Sequence, residues 1–485
     1  MSAPRHFLHT DGANVAGADG DPVRLRGLCI GGWLNMENFI TGFAANESLM
    51  RCGVLEVLGQ ERYELFFESF LSNFFSDADA AFLASIGVNS VRVPFNYRHL
   101  EDDAAPFVIK EEGFRRLDRA VEACAANGIF SIIDLHAVPG CQNHHWHSDN
   151  ATHRALFWEH RQFQDRAVHL WEAIADHYKD QTWVAGYNLM NEPADESRKA
   201  IGPFYARLVE AVRRVDPHHM LFVDGNTYAT EFDVFEGRWD NTVYTCHDYV
   251  RSGLGRGGPY PGFTDGVYVD KASVEQTFMK RSQYSRETGT PVYVGEFGPI
   301  YVGDRAVDAQ RRQILSDQLD IYRQHEAGWA LWTYKDLGRQ GLVNVAPASP
   351  YLERFGSFIA KKDRLAADQW GSDGEGPREV TQPVQELIAR EAPGFEPYPW
   401  GRFDWVRTLL LNITVAQALA PEYARAFRGL SDGDLVALAE SFAFDNCEVR
   451  EPLRGQLVKA LGEPCEDRSS VGNGIFAPAS EQSCL

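Results

Sequence analysis

Short runs rich in valine, isoleucine and aromatic residues recur along this chain. Between them lie longer stretches in which apolar positions return every three or four residues. Strands alternating with helices in this way are the sequence form of a parallel α/β sheet. Eight runs read as strands, at residues 25–30, 88–94, 129–135, 184–191, 220–225, 243–246, 291–296 and 329–334. Helical spacing covers 62–86, 112–127, 153–178, 198–215, 274–288, 307–327 and 380–390, and Gly87, Gly128, Gly289 and Gly328 stand where a left-handed residue closes a last helical turn. Eight such units predict an α/β fold of the closed (β/α)8 TIM-barrel kind. A doubly wound open sheet competes, but the first strand lacks a Gly-x-Gly-x-x-Gly turn: Gly31-Gly32-Trp33 leads into Asn35-Met36-Glu37.

Two regions fall outside the repeat. Residues 370–378 are polar and glycine-rich and read as a surface loop. Beyond Pro397-Tyr398-Pro399-Trp400, residues 404–419 and 435–444 carry apolar positions at helical spacing, and Ser431 with Asp434 resembles a capping box. The expected organisation is therefore a catalytic barrel over 1–396, a C-terminal helical extension over 397–465 and a disordered tail over 466–485. Phe66, Phe67, Phe70, Phe74 and Phe75 form an aromatic face whose expected role is core packing.

Composition narrows the partners. With 47 basic and 68 acidic residues and a net charge of −21, the 485-residue chain has no basic cluster to hold nucleic acid or an anionic membrane. A neutral substrate fits better. No leader-like apolar run opens the chain and no stretch approaches a membrane span, so a soluble, cytoplasmic protein is expected. Eight cysteines without a Cys-x-x-Cys pair argue against a disulfide framework or a zinc site. Asn412-Ile413-Thr414 matches a glycosylation acceptor but sits in a helical stretch, and it is discounted.

Chemistry gathers where strands end, which is the functional face of such a barrel. Glu192 follows Leu189-Met190-Asn191, and Glu296 ends Val292-Tyr293-Val294-Gly295. Two carboxylates delivered by strands 4 and 7 suit a retaining glycosidase, in which one protonates the leaving oxygen while the other attacks the anomeric carbon. Glu192 is assigned general acid/base, with a pKa raised by the second carboxylate, and Glu296 nucleophile. Arg92 and Tyr249 are expected to hold Glu296 ionised, and Asn191 to donate to the sugar 2-hydroxyl. His136 and His247 would bind hydroxyls or orient the acid, and Trp332 would floor the sugar ring. His144-His145-Trp146-His147 admits three readings: a metal site, which lacks a fixed-spacing acidic partner; a loop at the leaving-group side with Trp146 as a stacking platform; or a plain surface loop.

Val91-Arg92-Val93-Pro94, Asp134-Leu135-His136, Asn191-Glu192-Pro193, His247-Asp248-Tyr249, Gly295-Glu296-Phe297 and Trp332, in this order, resemble glycoside hydrolase family 5 over roughly residues 20–395. Gly31-Gly32-Trp33-Leu34-Asn35-Met36-Glu37, Leu135-His136-x-x-Pro139-Gly140-x-Gln142-Asn143 and Trp332-Thr333-Tyr334-Lys335 are similar to segments of its exo-β-1,3-glucanases and related β-glucosidases. The resemblance implies that Glu37 and Asn143 bind substrate, that a closed pocket removes one sugar at a time, and that no cofactor or metal is needed. The expected activity is removal of a terminal sugar, β-glucose first, from short oligosaccharides or glycosides. β-Mannose or a galactofuranoside as glycone, transglycosylation, and a non-catalytic carbohydrate-binding protein are the alternatives.

Overall fold

The computed structural model describes residues 7–255, 257–368, 370 and 376–462. Eight parallel strands close into a barrel: β1 (Arg26–Cys29), β2 (Ser90–Asn96), β3 (Phe130–Ala137), β4 (Val184–Asn188), β5 (Met220–Asp224), β6 (Thr242–His247), β7 (Val292–Glu296) and β8 (Gly328–Leu331). Every residue of β2, β4, β5, β6 and β8 is buried. Parallel strands covered on both faces read as continuous apolar runs, which is why all eight were visible in the chain. The polar exceptions stand out for the same reason. Asp134, His136, Asn188, Asp224, His247 and Glu296 are buried towards the carboxyl ends of their strands and Arg92 within β2, where each must find partners or destabilise the fold.

Helices surround the barrel, with bounds that depart from the sequence pattern. The expected helix at 62–86 is two, Gln60–Phe74 and Asp77–Ser85, because Ser76 and Asp79 form a capping box that starts a second helix. Expected helices at 153–178 and 274–288 are likewise divided. Three helices of twelve or more residues, Glu47–Leu58, Pro350–Arg364 and Glu451–Gly462, were not anticipated, although Ser349 capping Leu352 with proline at the first helical position is a legible start. Between β5 and β6 the connection carries only the short turn Asn226–Ala229, with left-handed Thr227 and Tyr228.

The C-terminal helices sit directly on the barrel. Phe427 meets Phe66 edge-on at 4.9 Å, and Phe442 meets Phe70 at 5.0 Å and Tyr351 at 4.9 Å. Lys335 Nζ, fully buried, donates 2.7 Å bonds to Asp79, the Phe74 carbonyl and the Phe442 carbonyl, so barrel and extension share one ammonium. The segment expected as a helix at 404–419 passes through a π-helical stretch, Thr408–Val415, and Asn412 is buried with its amide on the Ala366 carbonyl. The Ser431–Asp434 capping box is present. Residues 466–485, expected as a disordered tail, lie outside the described residues. No helix among the described residues is long and apolar enough to cross a membrane.

Candidate active site

Beyond β4 the chain runs on through Leu189 and Met190 to Asn191 and Glu192. Glu192 has φ 47°, a left-handed conformation that a residue with a Cβ adopts at a cost. Two bonds hold it there: its N–H donates to Asp224 at 3.0 Å, and its carbonyl accepts from the Asn143 amide at 3.0 Å. The result aims the side chain across the barrel mouth. Opposite, β7 slips register against β6 between Val294 and Glu296. Gly295 makes that slip possible, since a Cβ there would lie 2.4 Å from the Thr245 methyl group.

Arg92 organises the floor. Fully buried, it donates to Glu296 at 2.7 Å, Asn188 at 2.8 Å and Asn191 at 2.7 Å, and it lies 3.1 Å from Asp134. Tyr249 Oη donates to the other Glu296 oxygen at 2.9 Å. Both Glu296 oxygens are thus met by hydrogen-bond donors. Replacing Arg92 with methionine would strand Glu296 and Asp134 without their buried counter-charge. Chemical denaturation should show a loss of about 3–5 kcal/mol; an unchanged unfolding midpoint would show that the guanidinium is dispensable to the fold.

Glu192 and Glu296 face one another, with ligand atoms of Glu192, His247 and Glu296 all within 4.8 Å. His247 Nδ1 stands 2.6 Å from Glu192 and 3.6 Å from Glu296, while His147 Nε2 stands 3.1 Å from the other Glu192 oxygen. This corrects the expected titration of Glu192. Burial does push its carboxyl up, but His247 and His147 outweigh that and hold it well below the usual range. His247 moves the opposite way: against its burial, Glu296 and Glu192 raise it to about 9. His147 also rises, its burial outweighed by Glu192. The resting site therefore keeps a proton on the imidazole beside Glu192. The same three residues are the cluster that could hold a cation, yet His247 already bonds Glu192 and Arg92 sets a fixed positive charge against Glu296.

On the far wall, His136 Nδ1 is 2.8 Å from Asp134, its Nε2 faces the Asn191 amide at 3.2 Å, and its ring stacks on Trp332 at 5.4 Å. Burial raises Asp134 to about 7 despite Arg92, and lowers His136. Glu37 approaches His136 at 3.6 Å. Gly31 lets Trp332 come in, because a Cβ there would lie 2.7 Å from the indole. Asn143 also bonds His147 at 2.8 Å. Trp146 is buried with its face stacked on His145, which leaves little of it free to meet a ligand.

Three contributors were not singled out in the sequence. His147 lay inside a histidine run that has no period to mark which ring turns inward. Asp224 ends β5 and anchors both the Glu192 N–H and the Asn188 amide; a carboxylate closing an apolar strand was the available sign. Trp370, at the start of the segment read as a surface loop, packs edge-on to Tyr249 at 4.8 Å and donates to Gln340 at 2.6 Å. Residues 371–375 of that segment lie outside the described residues.

The family model described as Cellulase (glycosyl hydrolase family 5) matches residues 60–338. The chain is 45% identical over 462 residues to a beta-xylosidase of Phanerodontia chrysosporium, covering 92% of this chain and 96% of that protein. So broad a match leaves too few residues outside it to omit the C-terminal extension. It is 28% identical over 378 residues to a probable glucan 1,3-beta-glucosidase A of Neosartorya fischeri, covering 68% of this chain and 88% of that one. Among solved structures, rutinosidase from Aspergillus niger superposes with a TM-score of 0.51 at 18% identity, covering 65% of this chain and 90% of that chain, a likeness of fold.

Proposed function

The chain belongs to glycosyl hydrolase family 5, and from that membership we propose that it is an exo-acting retaining β-glycosidase that releases one terminal pyranose from short oligosaccharides or glycosides. One observation carries the reading: Glu192 and Glu296 converge with oxygens within 4.8 Å. Retaining pairs stand about 5–5.5 Å apart, whereas inverting pairs leave about 6.5–9.5 Å for a water.

In the first step the proton shared by the Glu192–His247 pair passes from His247 Nδ1 through Glu192 to the glycosidic oxygen while Glu296 attacks the anomeric carbon. The C–O bond to the leaving group breaks, and a glycosyl ester forms on Glu296. Water then gives its proton back to Glu192 and attacks the same carbon, releasing the sugar and the Glu296 carboxylate. Asn191 is the donor proposed for the 2-hydroxyl, with Glu37, His136, Asn143 and Trp332 holding the ring.

Xylose is the glycone supported by the 45% identical relative, in place of the glucose expected from sequence segments alone. Glucose remains the second reading on the strength of the 28% identical glucosidase. Nitrophenyl β-xyloside, β-glucoside, β-mannoside and β-galactofuranoside compared side by side test this. The xyloside should give the highest kcat/KM; a preference for mannoside or galactofuranoside contradicts the reading.

The pH profile should carry the signature of the imidazole beside Glu192. His247 is raised to about 9, so the Glu192–His247 pair keeps its shared proton below that pH and loses it above. The alkaline limb of kcat/KM is expected near pH 9. A fall already at pH 5–6 would mean that Glu192 titrates by itself.

A further inference from the structure

From Glu192 a row of rings leads outward on the side where its proton is delivered. His147 touches Glu192, and Tyr228 lies beside His147 at 6.1 Å and His145 at 5.1 Å. Tyr228 is tied to this wall by its backbone, its N–H donating to the Pro193 carbonyl at 3.2 Å, and its hydroxyl accepts from the His144 N–H at 3.3 Å. Beyond it stands Trp400, at the start of the C-terminal helices, with its ring 5.4 Å from Tyr228. Trp400 is 47% exposed, unusual for an indole seated against a neighbouring ring.

Polar groups edge this surface. Tyr398 Oη and Thr227 Oγ1 are 2.9 Å apart, Thr227 donates to Glu231, Arg198 pairs with Glu231 and Asp233, and Arg402 pairs with Glu396 at 3.1 Å. A flat apolar face ringed by hydroxyl, carboxylate and guanidinium groups suits a pyranose, which offers a C–H face and hydroxyls around its rim. Since the leaving group departs from the side of its proton donor, the ridge lies where that group extends.

We propose that Trp400, supplied by the C-terminal extension and backed by Tyr228, is a stacking platform for a sugar ring of the leaving group, so that the extension sets a preference for oligosaccharide over short glycosides. The proposal rests on Glu192 acting as the proton donor. It gives the extension a task in specificity and places the exposed aromatic of the leaving-group side at Trp400, since Trp146 is covered.

The test compares wild type, Trp400→Ala and Trp400→Phe on nitrophenyl β-xyloside and on xylo-oligosaccharides of two to four residues, with laminari- and cello-oligosaccharides alongside. For Trp400→Ala, the ratio of kcat/KM for the trisaccharide to that for the nitrophenyl glycoside should fall about tenfold, mainly through KM. Trp400→Phe should recover most of it. An unchanged ratio, or equal loss on both substrates, overturns the proposal. A selective loss on glycosides with large aryl leaving groups, without one on oligosaccharides, overturns the sugar as occupant. Wild type inactive on every substrate would instead contradict the glycosidase reading itself.

Discussion

Glu296→Gln is expected to lower turnover by roughly five orders of magnitude or more, the scale seen when a covalent nucleophile is removed. The substitution keeps the shape of the side chain: its amide oxygen can still accept from Arg92, and Tyr249, which donates to the carboxylate, can accept from the amide N–H instead. What is lost is the charged oxygen that attacks the anomeric carbon. A smaller variant, Glu296→Gly, should be rescued by azide on an activated glycoside. Azide would then enter from the vacated face, opposite the leaving group, and give the α-glycosyl azide. Rescue without that inversion, or a loss of less than a hundredfold, would mean that another group performs the attack.

Glu192→Ala should cost about 10²–10⁴ in kcat/KM on substrates with poor leaving groups, the usual share of general acid help. On a dinitrophenyl glycoside the first step needs no proton, so the loss should fall on the second step. KM should drop with kcat as the glycosyl-enzyme accumulates. Azide should restore turnover here too, but from the Glu192 side, giving the β-glycosyl azide. The opposite anomers from the two variants assign the two faces independently. The same anomer from both would remove the basis for giving 192 and 296 different roles.

All eight strands were legible because a strand buried on both faces cannot avoid an apolar run, and the polar residues in and just after those runs marked the candidate site. Arg92, His136, Asn191, Glu192, His247, Tyr249, Glu296 and Trp332 are brought together in one network of contacts. Helix limits were less legible. A single serine with an aspartate three positions on, Ser76 and Asp79, ends one helix and starts another without disturbing the apolar period. The titration of Glu192 was misjudged for a tertiary reason. Carboxylate repulsion was the visible interaction, but imidazoles from the end of β6 and from the segment after β3 approach to 2.6 Å and 3.1 Å and decide the sign. Trp370 and Trp400 escaped notice because each sits in a polar, proline- or glycine-rich stretch, where local composition says surface and only the fold says what that surface faces.

The most direct test of the account is covalent trapping. A dinitrophenyl 2-fluoro-β-glycoside of the preferred sugar should inactivate the enzyme in step with its turnover, adding one fluoro-sugar per chain. Peptide mass spectrometry should place that sugar on Glu296. A label on any other residue, or release of sugar with no covalent adduct, would contradict double displacement across Glu192 and Glu296.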